Sequence, residues 1–141
     1  MTKLINENFS FAAAQYKLLA KNTPSDVMPR NYVAKENKLV TSNTSWWTSG
    51  FFPGSLWYIY EYTKDTAIRA EAERRLAILE KEKYHSKDHD LGFMIYCSFG
   101  NAYRLTGNEA YKETVLTAAE TLIKRYRPSI SSIQSWDSSA N

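Results

Sequence analysis

Apolar positions along the chain fall into five blocks with helical spacing, separated by polar stretches. "TKLINENFSFAAAQYKLLAKN" predicts a first helix over residues 4–20. Residues 21–50 carry Pro24, Pro29 and many Asn, Ser and Thr, which predicts an ordered loop or short strand pieces. "FFPGSLWYIYEYT" predicts a second helix over 51–63, with Pro53 tolerated in its first turn. "TAIRAEAERRLAILEKEK" predicts an amphipathic third helix over 66–83. Ile68, Ala72, Leu76 and Leu79 share one stripe, and Glu71 with Arg75 forms an i,i+4 pair on another. "LGFMIYCSFGNAYRL" predicts a fourth helix over 91–105, apolar on nearly every side and so buried from both directions. Gly92 and Gly100 are expected to allow close helix contact there. "NEAYKETVLTAAETLIKRYR" predicts a fifth helix over 108–127, stopped by Pro128.

Helices that are apolar all round (second, fourth) alternate with one-sided helices (first, third, fifth). "YTKDTAI" at 62–68 also recurs in type as "LTGNEAY" at 105–111, a shift of about 43 residues, the length of one helical hairpin. Hairpins with a buried inner and a wetted outer helix suggest a solenoid or a closed ring. Five helices do not close such a ring, so the pattern predicts a short solenoid or a piece of something larger. In a ring the inner helices all point the same way, and the loops ahead of them gather at one end. Those loops are "NTSWWTSGFFPG" (43–54), "KDHDLGF" (87–93) and "SIQSWDSSAN" (132–141), the last leading toward a third inner helix. They would bring together Trp46, Trp47, His89, Asp90, Trp136 and Asp137. Aromatic rings stack on the apolar face of a sugar, and helix N-termini favour an anion, so a sugar bearing a carboxylate suits this end.

At 141 residues the chain fits one domain spanning 1–141. Its 10 Tyr, 6 Phe and 4 Trp fit either an aromatic core or a sugar- or partner-binding surface. A net charge of +3 with no basic stripe argues against nucleic acid. No apolar run is long enough to span a membrane. No basic segment followed by an apolar one marks a signal peptide, so the location is periplasmic if a leader was removed and otherwise cytoplasmic. Cys97 reads as a small buried residue and a poor nucleophile. His85 and His89 have the spacing of two metal ligands on a helix, but Ser86, Lys87 and Asp88 read as loop, so no metal is expected. Trp57, Tyr58 and Tyr60 read as core, and Asp88 and Asp137 as solvated loop charges. Asp90 is placed as an N-cap, and His89 is placed to bond a loop carbonyl.

"NTSWWTSGFFPGSLWYIYEYT", "HDLGF", "GNAYRLTGNEAY" and "SIQSWD", in this order and spacing, resemble the unsaturated glucuronyl hydrolases of glycoside hydrolase family 88. The resemblance covers essentially the whole chain. It implies an all-α fold, the N-terminal portion of an (α/α)6 toroid with a central pocket, and a bacterial enzyme that works without cofactors. Its substrate would be a Δ4,5-unsaturated uronic-acid oligosaccharide left by polysaccharide lyases. The implied reaction hydrates the C4=C5 enol ether: a carboxylic acid protonates C4, water adds at C5, and the hemiketal rearranges to release the sugar. That chemistry wants a carboxyl group with a pKa near working pH, helped by a second carboxylate close by.

Carried over from the family, Asp90 of "HDLGF" is a catalytic-site carboxylate and His89 lines the substrate pocket. Trp47, rather than Trp46, packs on the sugar, and Trp136 of "I-x-x-W" does likewise. The family's principal proton donor, in an "I-D-N"-type stretch on the next inner helix, has no counterpart in these residues. Family members are well over twice this length. The chain alone is therefore expected to be inactive, and to self-associate through the exposed sides of its inner helices. Two other readings are an unsaturated rhamnogalacturonyl hydrolase acting on pectin fragments and a non-catalytic helical-hairpin protein that binds partners along an aromatic groove.

Overall fold

A computed structural model describes residues 1–137. In chain order its elements are α1 (Thr2–Asn22), β1 (Met28–Val33), β2 (Lys38–Ser42), α2 (Phe51–Thr63), α3 (Thr66–Leu79), α4 (Leu91–Ile95), α5 (Asn101–Thr106), α6 (Glu109–Ile123), β3 (Tyr126–Arg127) and β4 (Ser132–Ile133). Helices make the core, and the strands pair as two small antiparallel hairpins, β1 with β2 and β3 with β4. The third inner helix anticipated after 132–141 lies outside the described residues.

Several helices depart from their expected bounds: the first runs from Thr2 to Asn22, and the third ends at Leu79 rather than 83 and passes into a 3-10 turn at Glu80–Tyr84. The predicted fourth helix is one rod made of α4 and α5, interrupted by a π-helical turn at Tyr96–Gly100. The Ser98 hydroxyl there bonds back to the carbonyls of Met94 (2.6 Å) and Ile95 (3.2 Å), a competition that loosens regular helix pairing. The fifth helix ends at Ile123 rather than 127, and Pro128 begins a 3-10 turn between β3 and β4. Alternating polarity is too short-lived in that hairpin to be read as strand.

Burial follows the predicted alternation of inner and outer helices. The α2 rod buries Phe52, Leu56, Trp57 and Ile59, and the α4–α5 rod buries Leu91, Met94, Ile95, Phe99 and Ala102. Outside them α3 turns in its whole stripe of Ile68, Ala72, Leu76 and Leu79. The α1 helix has no buried residue and lies on α2 through stacked rings, Phe9 on Tyr62 (centroids 4.4 Å) and Tyr16 on Phe52 (5.7 Å). Not every expected core position is inside. Tyr58 is exposed, because one residue past Trp57 a helix has turned its side chain to the far face. Phe93 and Tyr96 are exposed too, so the fourth helix, packed on both α2 and α6, still leaves one flank open.

The repeat read from the sequence is also present in the fold. Arg104 makes a two-pronged bond to Glu61, 43 residues earlier, at 2.7 and 2.6 Å. At the opposite ends of the rods, Gly50 lies against the carbonyls of Phe93 and Met94, and Gly54 against that of Cys97. The two inner rods therefore run parallel and in register. Each hairpin tip uses the same devices. Lys64 and Gly107 adopt left-handed conformations (φ 57° and 67°), and Asp65 and Asn108 then cap α3 and α6 by accepting from the amides of Ala67 (2.9 Å) and Ala110 (3.1 Å).

One ion pair sits where the stripe pattern did not place it. Arg75 is fully buried, with Nε 2.8 Å from Glu71 Oε1. Its other donors reach the carbonyls of Thr23 (3.2 Å), Pro24 (2.8 Å) and Val27, tying α3 to the segment between α1 and β1. Burial pulls the guanidinium pKa down, and Glu71 opposes this.

Candidate functional site

The parallel rods bring their entry loops together, and a third segment closes on them. Asp88 and Trp136 form an isolated antiparallel β-bridge, and the His89 amide donates to the Ser135 carbonyl at 2.8 Å. Arg125, buried behind this crossing, fastens it. Its Nε donates to the Gln134 carbonyl (2.8 Å), and its guanidinium reaches the Ser86 carbonyl and Asp137 Oδ1 (3.2 Å). A buried arginine with several oxygen partners is a strong clamp, because its planar fork is pre-organised for them.

Between the loops lies a cavity of about 520 Å³ lined by Ser45, Trp46, Trp47, Asp88, His89, Asp90 and Trp136. The four residues singled out in the sequence, Trp47, His89, Asp90 and Trp136, thus share one cavity. Trp46, which the loop topology also places at this end, and Asp88, expected to be a solvated loop charge, share it too. Asp137 sits outside it, on Arg125.

Each side chain is held by identifiable neighbours. Trp47 packs edgewise on Phe51 (5.8 Å) and Phe93 (6.0 Å), which are themselves 5.7 Å apart, leaving the indole partly open. Trp136 meets His89 edge to face at 4.8 Å and 86°. His89 Nδ1 is 3.2 Å from the Ser135 carbonyl oxygen. A carbonyl only accepts, so Nδ1 carries the proton of the neutral ring. The bond to a loop carbonyl does form, and it leaves Nε2 on the side of Asp90, whose Oδ1 is 3.8 Å away.

Asp90 stands at the N-cap of α4 without capping through its side chain. Its backbone carbonyl receives the amides of Phe93 (2.8 Å) and Met94 (3.3 Å), while Asp88 Oδ1 accepts the Asp90 amide at 2.9 Å. The local turn is thus made by Asp88, an Asx-type device. The Asp90 carboxylate makes no hydrogen bond among the described residues and is free for a ligand or a proton.

Asp88 is not a solvated charge. Its Oδ2 is 2.9 Å from His85 Nε2, and His85 Nδ1 lies 3.7 Å from Glu82 Oε2. The Thr44 hydroxyl donates in turn to Glu82 Oε1. This buried relay joins the loop carrying Trp46 and Trp47 to the loop carrying His89 and Asp90. Burial pushes the Asp88 pKa up, but the hydrogen bonds from His85 and the Asp90 amide, with both imidazoles nearby, outweigh it and hold the carboxyl below its usual range. Asp88 is thus committed to His85 and to the Asp90 amide, whereas the Asp90 carboxylate has no such partner among the described residues. Among the described residues no group of three or more His, Cys, Asp or Glu is placed to hold a metal ion. Burial pushes the Cys97 thiol up, away from reactivity.

The i,i+3 spacing of His85 and Asp88 is the one feature of the sequence that points to the relay. Arg125 carries no such mark, since its partners come from segments on both sides of it.

No family model matches the chain. It is 44% identical over 92 residues to an unsaturated glucuronyl hydrolase of Formosa agariphila, a match covering 64% of this chain and 23% of the relative. Its fold superposes with a TM-score of 0.91 and 34% identity on the crystal structure of an unsaturated glucuronyl hydrolase specific for heparin, over 99% of this chain and 38% of that one. A mutant unsaturated glucuronyl hydrolase from Streptococcus agalactiae, complexed with dGlcA-GalNAc6S, matches at TM-score 0.78 and 25% identity, over 89% of this chain and 34% of that one. The relatives and structural neighbours are thus unsaturated glucuronyl hydrolases, glycoside hydrolases with an (α/α)6 toroid. The chain spans about a quarter of the length of the curated relatives it matches.

Proposed function

We infer that this chain is part of an unsaturated glucuronyl hydrolase and supplies one wall of its active site. The observation that carries the reading is the convergence of Trp47, His89, Asp90 and Trp136 on one cavity, in a chain whose relatives bear that name. The substrate class is a Δ4,5-unsaturated uronic acid linked to a second sugar, as in the dGlcA-GalNAc6S bound by one structural neighbour.

The open faces of Trp47 and Trp136 suit the apolar faces of a sugar ring. His89, with Nδ1 tied to the Ser135 carbonyl, offers Nε2 to a sugar hydroxyl. Asp90 contributes one of two carboxylates at the enol ether, and the other comes from the toroid's next inner helix. One carboxylic acid delivers a proton to C4, water adds at C5 as a carboxylate takes up its proton, and the hemiketal opens, breaking the bond to the second sugar. A pair of close carboxylates keeps one of them protonated near neutrality, which the first step requires. With Asp88 committed to His85, the cavity wall has Asp90 alone for this work, so the 141 residues bind the ligand without turning it over.

Titration of tryptophan fluorescence tests this. Unsaturated disaccharides from chondroitin or heparin lyases are expected to quench the chain's emission saturably, and pectin-type unsaturated disaccharides to do so more weakly. In the whole enzyme the first class is hydrolysed, with loss of the enol-ether absorbance in the ultraviolet. Absence of binding, or equal preference for the pectin type, would overturn the assignment.

A further inference from the structure

The connection between α3 and α4 carries ionisable side chains at a spacing of three, Glu82, His85 and Asp88, and each is largely withdrawn from water. Burying charge is costly, and apolar residues of like volume often serve stability as well or better, so stability alone gives this trio no reason. His85 Nε2 stands 2.9 Å from Asp88 Oδ2. A carboxylate only accepts, so the ring nitrogen is the donor. On the ring's other side Nδ1 faces Glu82 Oε2 at 3.7 Å. Glu82 in turn receives the hydroxyl of the buried Thr44, two residues ahead of Trp46. The His85 side chain is only 8% exposed and does not line the main cavity, so it reaches a ligand only through its neighbours.

Those neighbours hold the backbone of site residues. Asp88 Oδ1 accepts the Asp90 amide at 2.9 Å, and the Asp88 main chain bridges to Trp136. The Asp90 carboxylate has no hydrogen bond among the described residues, and His89 Nε2 stands 3.8 Å away. A carboxylate without such a partner points where its own backbone directs it. The Asp90 carbonyl is fixed by the first turn of α4, through the amides of Phe93 and Met94, and the Asp90 amide by Asp88. What steadies Asp88 therefore aims Asp90.

We propose that His85 is a positioning residue for the hydration step: its bond to Asp88 fixes the Asp90 amide and so aims the one uncommitted carboxylate of the cavity at the enol ether. Glu82 and Thr44 brace the ring from behind and tie the tryptophan loop to the same imidazole. Proton transfer is sensitive to such aim, since misplacing a reacting group by about 1 Å costs on the order of 10²-fold in rate. This role rests on the reading of the main cavity given above and adds to it a residue that never meets the ligand.

The experiment measures kcat and KM of the whole enzyme on an unsaturated chondroitin disaccharide, well below the Tm of each variant. His85→Asn and His85→Gln differ by one methylene. The Gln amide nitrogen falls where Nε2 stands and still donates to Asp88, whereas the Asn nitrogen stops short of it. His85→Asn is expected to lower kcat by about 10- to 100-fold with KM within about threefold, and His85→Gln to bring kcat back to within about threefold of the unchanged enzyme. Equal losses in both variants would overturn the proposal, because the bond to Asp88 would not be what matters. A loss confined to KM would overturn it too, and so would no loss in either variant. Should His85→Asn fail to fold, Thr44→Val decides, since it removes only the hydroxyl at the far end of the relay. It is expected to lower kcat by about three- to tenfold, and an unchanged kcat would overturn the proposal. If the unchanged enzyme hydrolyses no unsaturated uronide, the reading of the main cavity fails, and the role of His85 falls with it.

Discussion

Two aspartates two residues apart are given different work by their surroundings. Asp88 is consumed by His85 and the Asp90 amide, whereas the Asp90 carboxylate is left uncommitted. In the whole enzyme Asp90→Asn is expected to lower kcat by about 10²–10⁴ while ligand binding persists, the range for a lost acid–base group. Steady-state rates with binding measured in parallel check this. Asp88→Asn acts first on stability, because it strips a charged hydrogen bond from a relay that joins two loops, at about 1–3 kcal/mol. The sign of its pH dependence follows from the lowered pKa. A carboxyl held below its ordinary value of 3.8 stabilises the fold above that value and loses the contribution as pH falls through the lower folded value. The Tm difference between wild type and Asp88→Asn should therefore be full at neutral pH and close as the pH drops below 3.8. A difference that persists unchanged in acid would dismiss the His85–Asp88 pair as its source.

At the scale of elements, the inner and outer helices were legible because burial imposes a period on the sequence. The stripe Ile68, Ala72, Leu76 and Leu79 is such a record, and so is the 43-residue echo that became the Glu61–Arg104 bond. What lies opposite a residue leaves no such record. Gly92 and Gly100 were read as close-contact positions, yet a Cβ on Gly92 would meet nothing within 4 Å, and one on Gly100 would touch mainly its own helix's Tyr96. The contact glycines are Gly50 and Gly54, where a Cβ on Gly54 would stand 2.5 Å from the Cys97 carbonyl oxygen. Gly54→Ala is thus expected to cost about 1–3 kcal/mol by forcing the rods apart, while Gly92→Ala is neutral or stabilising by up to about 1 kcal/mol. Urea unfolding of both variants separates the two roles. The site was half legible for the same reason. Trp47, His89, Asp90 and Trp136 could be placed at one end by topology, but the closure of 134–137 onto 88–89 depends on Arg125, whose reach across three segments no spacing announces. Arg125→Met is expected to release that segment, shifting Trp136 emission to the red and raising amide exchange at His89. Unchanged spectra would assign the crossing to its backbone bonds alone.

Over the whole molecule the burial is lopsided. Between α4 and α6 runs a shallow apolar cleft lined by Leu91, Gly92, Ile95, Tyr96, Val115 and Leu122, and Leu116 and Ile123 of α6 are exposed besides. Tyr96 is 69% exposed although it belongs to an inner rod, so the rod, packed on α2 and α6, leaves a further flank to water. Contiguous apolar surface of this kind is seldom left wet, since each buried square ångström returns about 25 cal/mol. A polypeptide of these 141 residues is therefore expected to associate with itself, its average mass in light scattering rising above the monomer value with concentration. Tyr96→Glu places a charge in the middle of the cleft, where desolvating it opposes any apolar contact, and should return the mass to that of a monomer. The variant changes an exposed ring and should keep the native melting transition. A wild-type chain that stays monomeric at every concentration and melts cooperatively would show instead that the α1–α3 and α4–α6 layers suffice as a self-contained core.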